Sequence, residues 1–129
     1  PRVQQTLGLD QAVYLFELKL ALLTPKRLPN AAPLSRFPEV RRDIAIIVDS
    51  SVHAAEINTC VVQAADETFR NLKLFDVYQG KGIDPNRKSI ALGLTFQHVS
   101  RTLTDEEISV SVDQIVTALE SQLAASLRN

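Results

Sequence analysis

Apolar and polar positions alternate with period two along several stretches of the chain and recur with helical period along two others. The cleanest alternation spans residues 89–97, where Ile90, Leu92, Leu94 and Phe96 oppose Ser89, Ala91, Gly93, Thr95 and Gln97. Successive side chains of a strand face opposite sides, so this segment reads as a strand with one buried side. Residues 43–48 form a shorter β-branched run, with Ile44, Ile46 and Val48 set against Asp43, Ala45 and Ile47. That strand is entered through Ser35-Arg36-Phe37-Pro38 and the charged mouth Arg41-Arg42-Asp43. A further strand is expected over 72–78, with Leu74, Asp76 and Tyr78 on its outward side. Gly80-Lys81-Gly82 permits a turn after it, and Asp84-Pro85-Asn86-Arg87 completes a hairpin loop into the strand at 89.

Helical spacing predicts a first helix over 54–69, with Ile57, Val61, Ala64 and Ala65 as its buried stripe. His53 stands three residues before Glu56, the spacing of a capping box with a poorer cap than Ser or Thr. Thr104-Asp105-Glu106-Glu107 is a full capping box with extra acids to favour the helix dipole. The helix it opens should run over 105–122, burying Ile108, Val112, Ile115, Val116, Leu119 and Leu123. Residues 124–128 are expected to close the domain as an edge strand. The order β-α-β-β-α-β is the ferredoxin-like arrangement: an α+β fold with a four-stranded antiparallel sheet and two helices on one face.

The other sheet face would then present Asp43, Ala45, Ile47, Leu74, Asp76, Tyr78, Ser89, Ala91, Gly93, Thr95 and Gln97. Small side chains along its middle let a backbone or a planar base come close, and the polar groups around them offer hydrogen bonds. A recognition role for this face requires the strand at 89–97 to keep one side open.

Ahead of that domain, Phe16, Leu18 and Leu20 alternate with Glu17 and Lys19. Residues 13–20 are expected to be the last strand of a preceding module, whose open edge invites pairing with another chain. Pro25, Pro29, Pro33 and Pro38 make 24–38 an extended linker. The expected division is 1–34, a module tail with its linker, and 35–129, the ferredoxin-like domain.

With 129 residues, 45% hydrophobic and 22% charged, the chain can bury a core. It contains no run of about 18 apolar residues, hence no membrane span, and no secretory signal. The single Cys60 points to a reducing, cytoplasmic setting, and the lack of any Met suggests a piece of a longer protein. Net charge of −1 hides a partition. Lys26, Arg27, Arg36, Arg41 and Arg42 stand against Glu39 alone, and Lys81, Arg87, Lys88 and Arg101 against Asp84, whereas the helices carry mostly acids. Such a distribution steers a polyanion to one side of a molecule of near-zero total charge. His53, His98 and Cys60 share no ligand spacing, so no metal site is expected. No GxSxG elbow and no phosphate-binding glycine motif occur, and Asp49-Ser50-Ser51 lacks the glycine of a phosphate cradle.

Four motifs occur in order: Ser35-Arg36-Phe37-Pro38 with Arg41-Arg42-Asp43-Ile44-Ala45; Leu74-Phe75-Asp76-Val77-Tyr78-Gln79-Gly80-Lys81-Gly82; Lys88-Ser89-Ile90-Ala91 with Leu94-Thr95-Phe96-Gln97; and Arg101-Thr102-Leu103-Thr104-Asp105-Glu106-Glu107. From Ser35 onward the chain closely resembles the ferredoxin-fold anticodon-binding domain that ends the bacterial phenylalanyl-tRNA synthetase β subunit. His53 and Gln79 depart from the pattern, where a small capping residue and an Arg are more usual. The resemblance implies a non-catalytic RNA-binding part of an α2β2 phenylalanine–tRNA ligase, with the tRNA(Phe) anticodon loop and the α subunit as partners. The chemistry, with ATP and magnesium, would reside in the α subunit, leaving this fragment no cofactor of its own. On that reading Asp43, Asp76 and Gln97 meet base edges, Tyr78 and Phe37 stack, and Arg41, Arg42, Lys81, Lys88 and Arg101 hold phosphates. The alternative is a ferredoxin-like regulatory or protein-docking module.

Overall fold

The strand at Val40–Asp49 (β1 of the domain described below) takes its place in the sheet because Val40, Ile44, Ile46 and Val48, all on one side of it, pack in or against the core shared with the helices. The computed structural model describes residues 2–8, 11, 13–23 and 35–128, in two compact units, Pro1–Pro33 and Leu34–Asn129. In the first unit the described elements are two short helices, α1 (Arg2–Thr6) and α2 (Leu20–Leu23). The strand expected over 13–20 is not formed: residues 13–19 have no regular structure and Leu20 opens α2. A strand needs partners for its backbone N–H and C=O groups, and among the described residues this segment has no paired strand. Tyr14, Leu15 and Phe16 are about nine-tenths exposed. The proline linker falls outside the described residues except for Ser35–Pro38.

The second unit runs β1 (Val40–Asp49), α3 (Ala54–Ala64), β2 (Phe69–Tyr78), β3 (Arg87–Phe96), α4 (Asp105–Leu123) and β4 (Ser126–Leu127). The strands lie in the order β2-β3-β1-β4, all neighbours antiparallel, as a ferredoxin-like fold requires. Ile46, Val48, Ile90, Leu92, Leu94 and Phe96 meet Ile57, Cys60 and Val61 of α3 and Ile108, Ile115 and Leu119 of α4 in one core. Both helices therefore pack on the same sheet face, and burial pushes the Cys60 thiol pKa up.

Two expectations are corrected. Helix α3 stops at Ala64, not at Phe69. The Asp66 carboxylate accepts from the Thr68 amide at 2.8 Å and its hydroxyl at 2.6 Å, which turns the chain out of the helix. It also accepts from the Ser111 hydroxyl of α4. Partial burial acts to raise the Asp66 pKa, but the bonds from Ser111 and Thr68 outweigh it and the carboxyl is held below its ordinary value. Phe69 thus begins β2 and meets Phe96 edge-on, with ring centroids 6.0 Å apart.

The second correction concerns which side β2 shows. A register shift between Leu74 and Asp76 places Leu74 opposite Leu92 and Asp76 opposite Ala91. Phe75 is the extra residue of a bulge, so Leu74 points into the core rather than outward.

Helix α4 begins as its capping box demands. The Glu107 carboxylate accepts from the Thr104 amide at 2.9 Å, and the Thr104 hydroxyl accepts from the Glu107 amide at 3.3 Å. It ends on Ala124 in the left-handed region, φ 48°. Arg87 then ties the closing strand down, donating to the carbonyls of Ile47 at 2.8 Å and Ala124 at 2.9 Å.

Candidate functional site

The sheet face away from the helices is built in rows, because residues opposite each other in an antiparallel ladder point the same way. One row holds Asn71, Thr95 and Arg41; the next Lys73, Gly93 and Asp43. A third holds Asp76, Ala91 and Ala45 and is extended by Arg128, whose amide donates to the Ala45 carbonyl at 2.8 Å. The fourth holds Tyr78, Ser89, Ile47 and Ser126. The centre is therefore small: Gly93, Ala91, Ala45 and Ser89. Acid, cation and ring stand around it.

Strand β3 is buried along much of its length on both sides, with Ser89 at 4% exposure. What lies over its outer side is not another layer of this unit but two guanidinium groups. Arg128 donates to the Ser89 hydroxyl at 3.2 Å and stands 5.7 Å from the Tyr78 ring centroid. Arg41 stands 5.2 Å from the Phe75 ring centroid. A Cβ on Gly93 would lie 2.8 Å from its Nε and Nη2. The expectation that this strand keeps one side open is therefore not met for β3 itself; what covers it are guanidinium planes, on which a planar ligand can stack.

Of the sequence-derived candidates, the sheet brings Arg41, Asp43, Asp76 and Tyr78 together on this face. Arg41 and Asp43 pair there, Nε to Oδ1 at 2.7 Å. Gln97 and Phe37 meet beyond the end of β3, where the Gln97 amide donates to the Phe37 carbonyl at 2.7 Å. Lys81 lies exposed in the β2–β3 loop, its carbonyl accepting from the Tyr78 hydroxyl at 3.2 Å. Arg42, Lys88 and Arg101 are elsewhere. Arg42 reaches Asp105 of α4 at 2.5 Å. Lys88 donates to the carbonyls of Ser50 and Val52 at 2.8 and 2.7 Å, bracing the turn between β1 and α3. Arg101 holds Glu107 with both terminal nitrogens, at 2.7 and 2.6 Å.

Sequence reading missed Phe75, Lys73 and Arg128. Phe75 and Lys73 were hidden by the bulge. Arg128 was within reach, since an edge strand over 124–128 puts alternate residues on one face.

The turn after β1 is closed on a carboxylate: Asp49 accepts from the Ser51 amide at 2.9 Å and its hydroxyl at 2.6 Å, and these bonds hold its pKa below the ordinary value. Among the described residues no three His, Cys, Asp or Glu side chains gather as a metal-binding group, and no helix is long and apolar enough to cross a membrane. What the open face offers is a flat, small-residue surface with rings, cations and hydrogen-bonding groups at its border. That chemistry suits unpaired bases.

Comparison with known proteins agrees with the geometry. Residues 35–128 match the family described as the ferredoxin-fold anticodon binding domain. The chain is 52% identical, over 99% of its length, to the phenylalanine–tRNA ligase beta subunit of Pseudomonas savastanoi pv. phaseolicola. It is 43% identical over its whole length to the same subunit of Pseudoalteromonas translucida and 40% identical to that of Shewanella oneidensis. It spans only 16% of the length of each of these relatives. The sheet order, the open face and the match over residues 35–128 agree, and the chain belongs to the family of ferredoxin-fold anticodon-binding domains.

Proposed function

We propose that this chain reads the anticodon loop of tRNA(Phe) on its open sheet face, as part of the β subunit of a phenylalanine–tRNA ligase. The observation that carries this is the row Asp76–Ala91–Ala45–Arg128 beside Tyr78. Two alanines leave room for a base, Asp76 can accept from its N–H edge, Arg128 can meet its phosphate or acceptor edge, and Tyr78 can stack. The holoenzyme is read as a cytoplasmic α2β2 assembly whose ATP- and magnesium-dependent chemistry takes place outside this chain. The relatives' description as the beta subunit of a ligase supports a partner subunit, and the single free cysteine fits a reducing compartment. The exposed side chains of Tyr14, Leu15 and Phe16 support a contact of residues 13–20 with further polypeptide, including a second copy of the chain.

The test is binding of an anticodon stem-loop to the chain, followed by fluorescence anisotropy. Tyr78→Ala and Arg128→Ala should each weaken binding by about tenfold, the order expected for loss of a stacked or charge-assisted contact. Glu120→Gln, at an exposed position of α4, should leave it unchanged. Equal binding by all three variants, or no competition by the unlabelled loop, overturns the reading in favour of a protein-docking module.

A further inference from the structure

We propose that Arg41, seated over Gly93 and beside the Phe75 ring, forms a second nucleotide subsite that stacks a neighbouring unpaired base of the same RNA loop. The inference rests on the open-face reading above and adds a residue-level site to it.

Three local features converge on this arginine. The β2 bulge turns Phe75 onto the open face, where its ring stands 5.2 Å from the Arg41 Cζ. Gly93 supplies the space, since a Cβ there would stand 2.8 Å from Nε and Nη2 and 3.0 Å from Cζ. Asp43 fixes the orientation by accepting from Nε at 2.7 Å, a bond that does not engage the Nη groups.

The pairing with Asp43 decides what the group is suited to. A carboxylate at that distance offsets much of the guanidinium charge, which makes Arg41 a poorer phosphate ligand than an arginine without such a partner. It leaves the plane of the group intact, and guanidinium planes stack on bases. About half of the Arg41 side chain and 46% of Phe75 remain exposed, so the pair is accessible. Gly93 lies four residues along β3 from Ser89, the partner of Tyr78, which is roughly 13 Å at about 3.3 Å per residue. That separation is too long for one base to touch both places and fits different bases of one loop.

Arg41→Lys keeps the charge and removes the plane, so it separates stacking from simple attraction. With the 129-residue chain and an anticodon stem-loop, Arg41→Lys and Arg41→Ala should both weaken binding about five- to tenfold, near the lower end for loss of a stacked base. Gly93→Ala, which displaces the guanidinium while keeping every partner, should do the same. Stem-loops each lacking one base then locate the contact. On one of them Arg41→Lys should cost nothing, whereas on the loop lacking the base served by Tyr78 it should cost as much as on the intact loop. Wild-type affinity in Arg41→Lys overturns the subsite, and so does a penalty that persists on every such loop. Those results leave Tyr78→Ala impaired. If Tyr78→Ala binds normally, or the parent chain ignores the loop, the open-face reading itself has failed.

Discussion

Glu107 does two jobs with one carboxylate. It closes the capping box of α4 on the Thr104 amide and takes both terminal nitrogens of Arg101. The hydrogen bond from Arg101, followed by that from Thr104, holds its pKa down to about 2 from the ordinary 4.5. A carboxyl whose folded-state pKa lies below its unfolded value stabilises the fold above the unfolded value. That contribution is lost as pH falls through the window between the two. Glu107 should therefore contribute fully at pH 7 and progressively less between about 4.5 and 2. Urea unfolding of the parent and of Glu107→Gln will check this: the gap between them should be widest near neutrality and narrow steadily through that window. A gap that stays constant down to pH 2 would show that the carboxylate charge is not what the cap uses. The same geometry occupies Arg101, which the sequence offered as a phosphate ligand, with a partner of its own.

Elements were legible where one physical signal dominated. Residues 89–97 alternate cleanly because β3 is central, and its apolar side meets both helices. The capping box marks the start of α4 because orphan N–H groups at a helix end accept only a few side-chain solutions. The end of α3 was not legible from period alone. Ala64 and Ala65 continue the stripe, and the stop comes from the Asp66 carboxylate accepting from Thr68, a local bond that competes with the helix. The bulge at Phe75 was hidden for a related reason: one inserted residue flips the side of its neighbours, and Leu74 and Phe75 are both apolar. Hence Asp76 and Tyr78 were placed on the right side while Leu74 was not. The alternation over 13–20 failed differently, since a strand depends on a partner that the described residues do not supply.

The junction from α4 to β4 carries its own consequence. Ala124 holds φ 48°, where an L side chain crowds the backbone and glycine does not. Ala124→Gly should raise stability by about 0.5–1 kcal/mol, net of glycine's greater freedom in the unfolded chain. For a domain of this size that is a rise of roughly 3–6 °C in Tm. An unchanged or lower Tm would mean that the Arg87 bond to the Ala124 carbonyl, and not the torsion, governs this turn.

Across the second unit, charge is divided by the sheet. Arg42 and Arg101 lie with carboxylates of α4, at Asp105 and Glu107, whereas the open face carries Arg41, Lys73 and Arg128 against Asp43 and Asp76. Three bases against two acids make a weakly positive surface, so the RNA recognition proposed there would lean on stacking and hydrogen bonds more than on bulk attraction. Single-stranded RNA releases about 0.7 counterion per neutralised phosphate, and two phosphate contacts would give a slope of log K against log salt of about −1.4. Arg128→Ala should flatten that slope by about 0.7. Arg42→Ala and Arg101→Ala should leave it unaltered, because both arginines are spent on the helix side. Binding of the anticodon stem-loop measured from 50 to about 300 mM salt distinguishes the surfaces. A slope flattened by loss of Arg42 but not of Arg128 would move the RNA to the helix side and overturn the assignment of the open face.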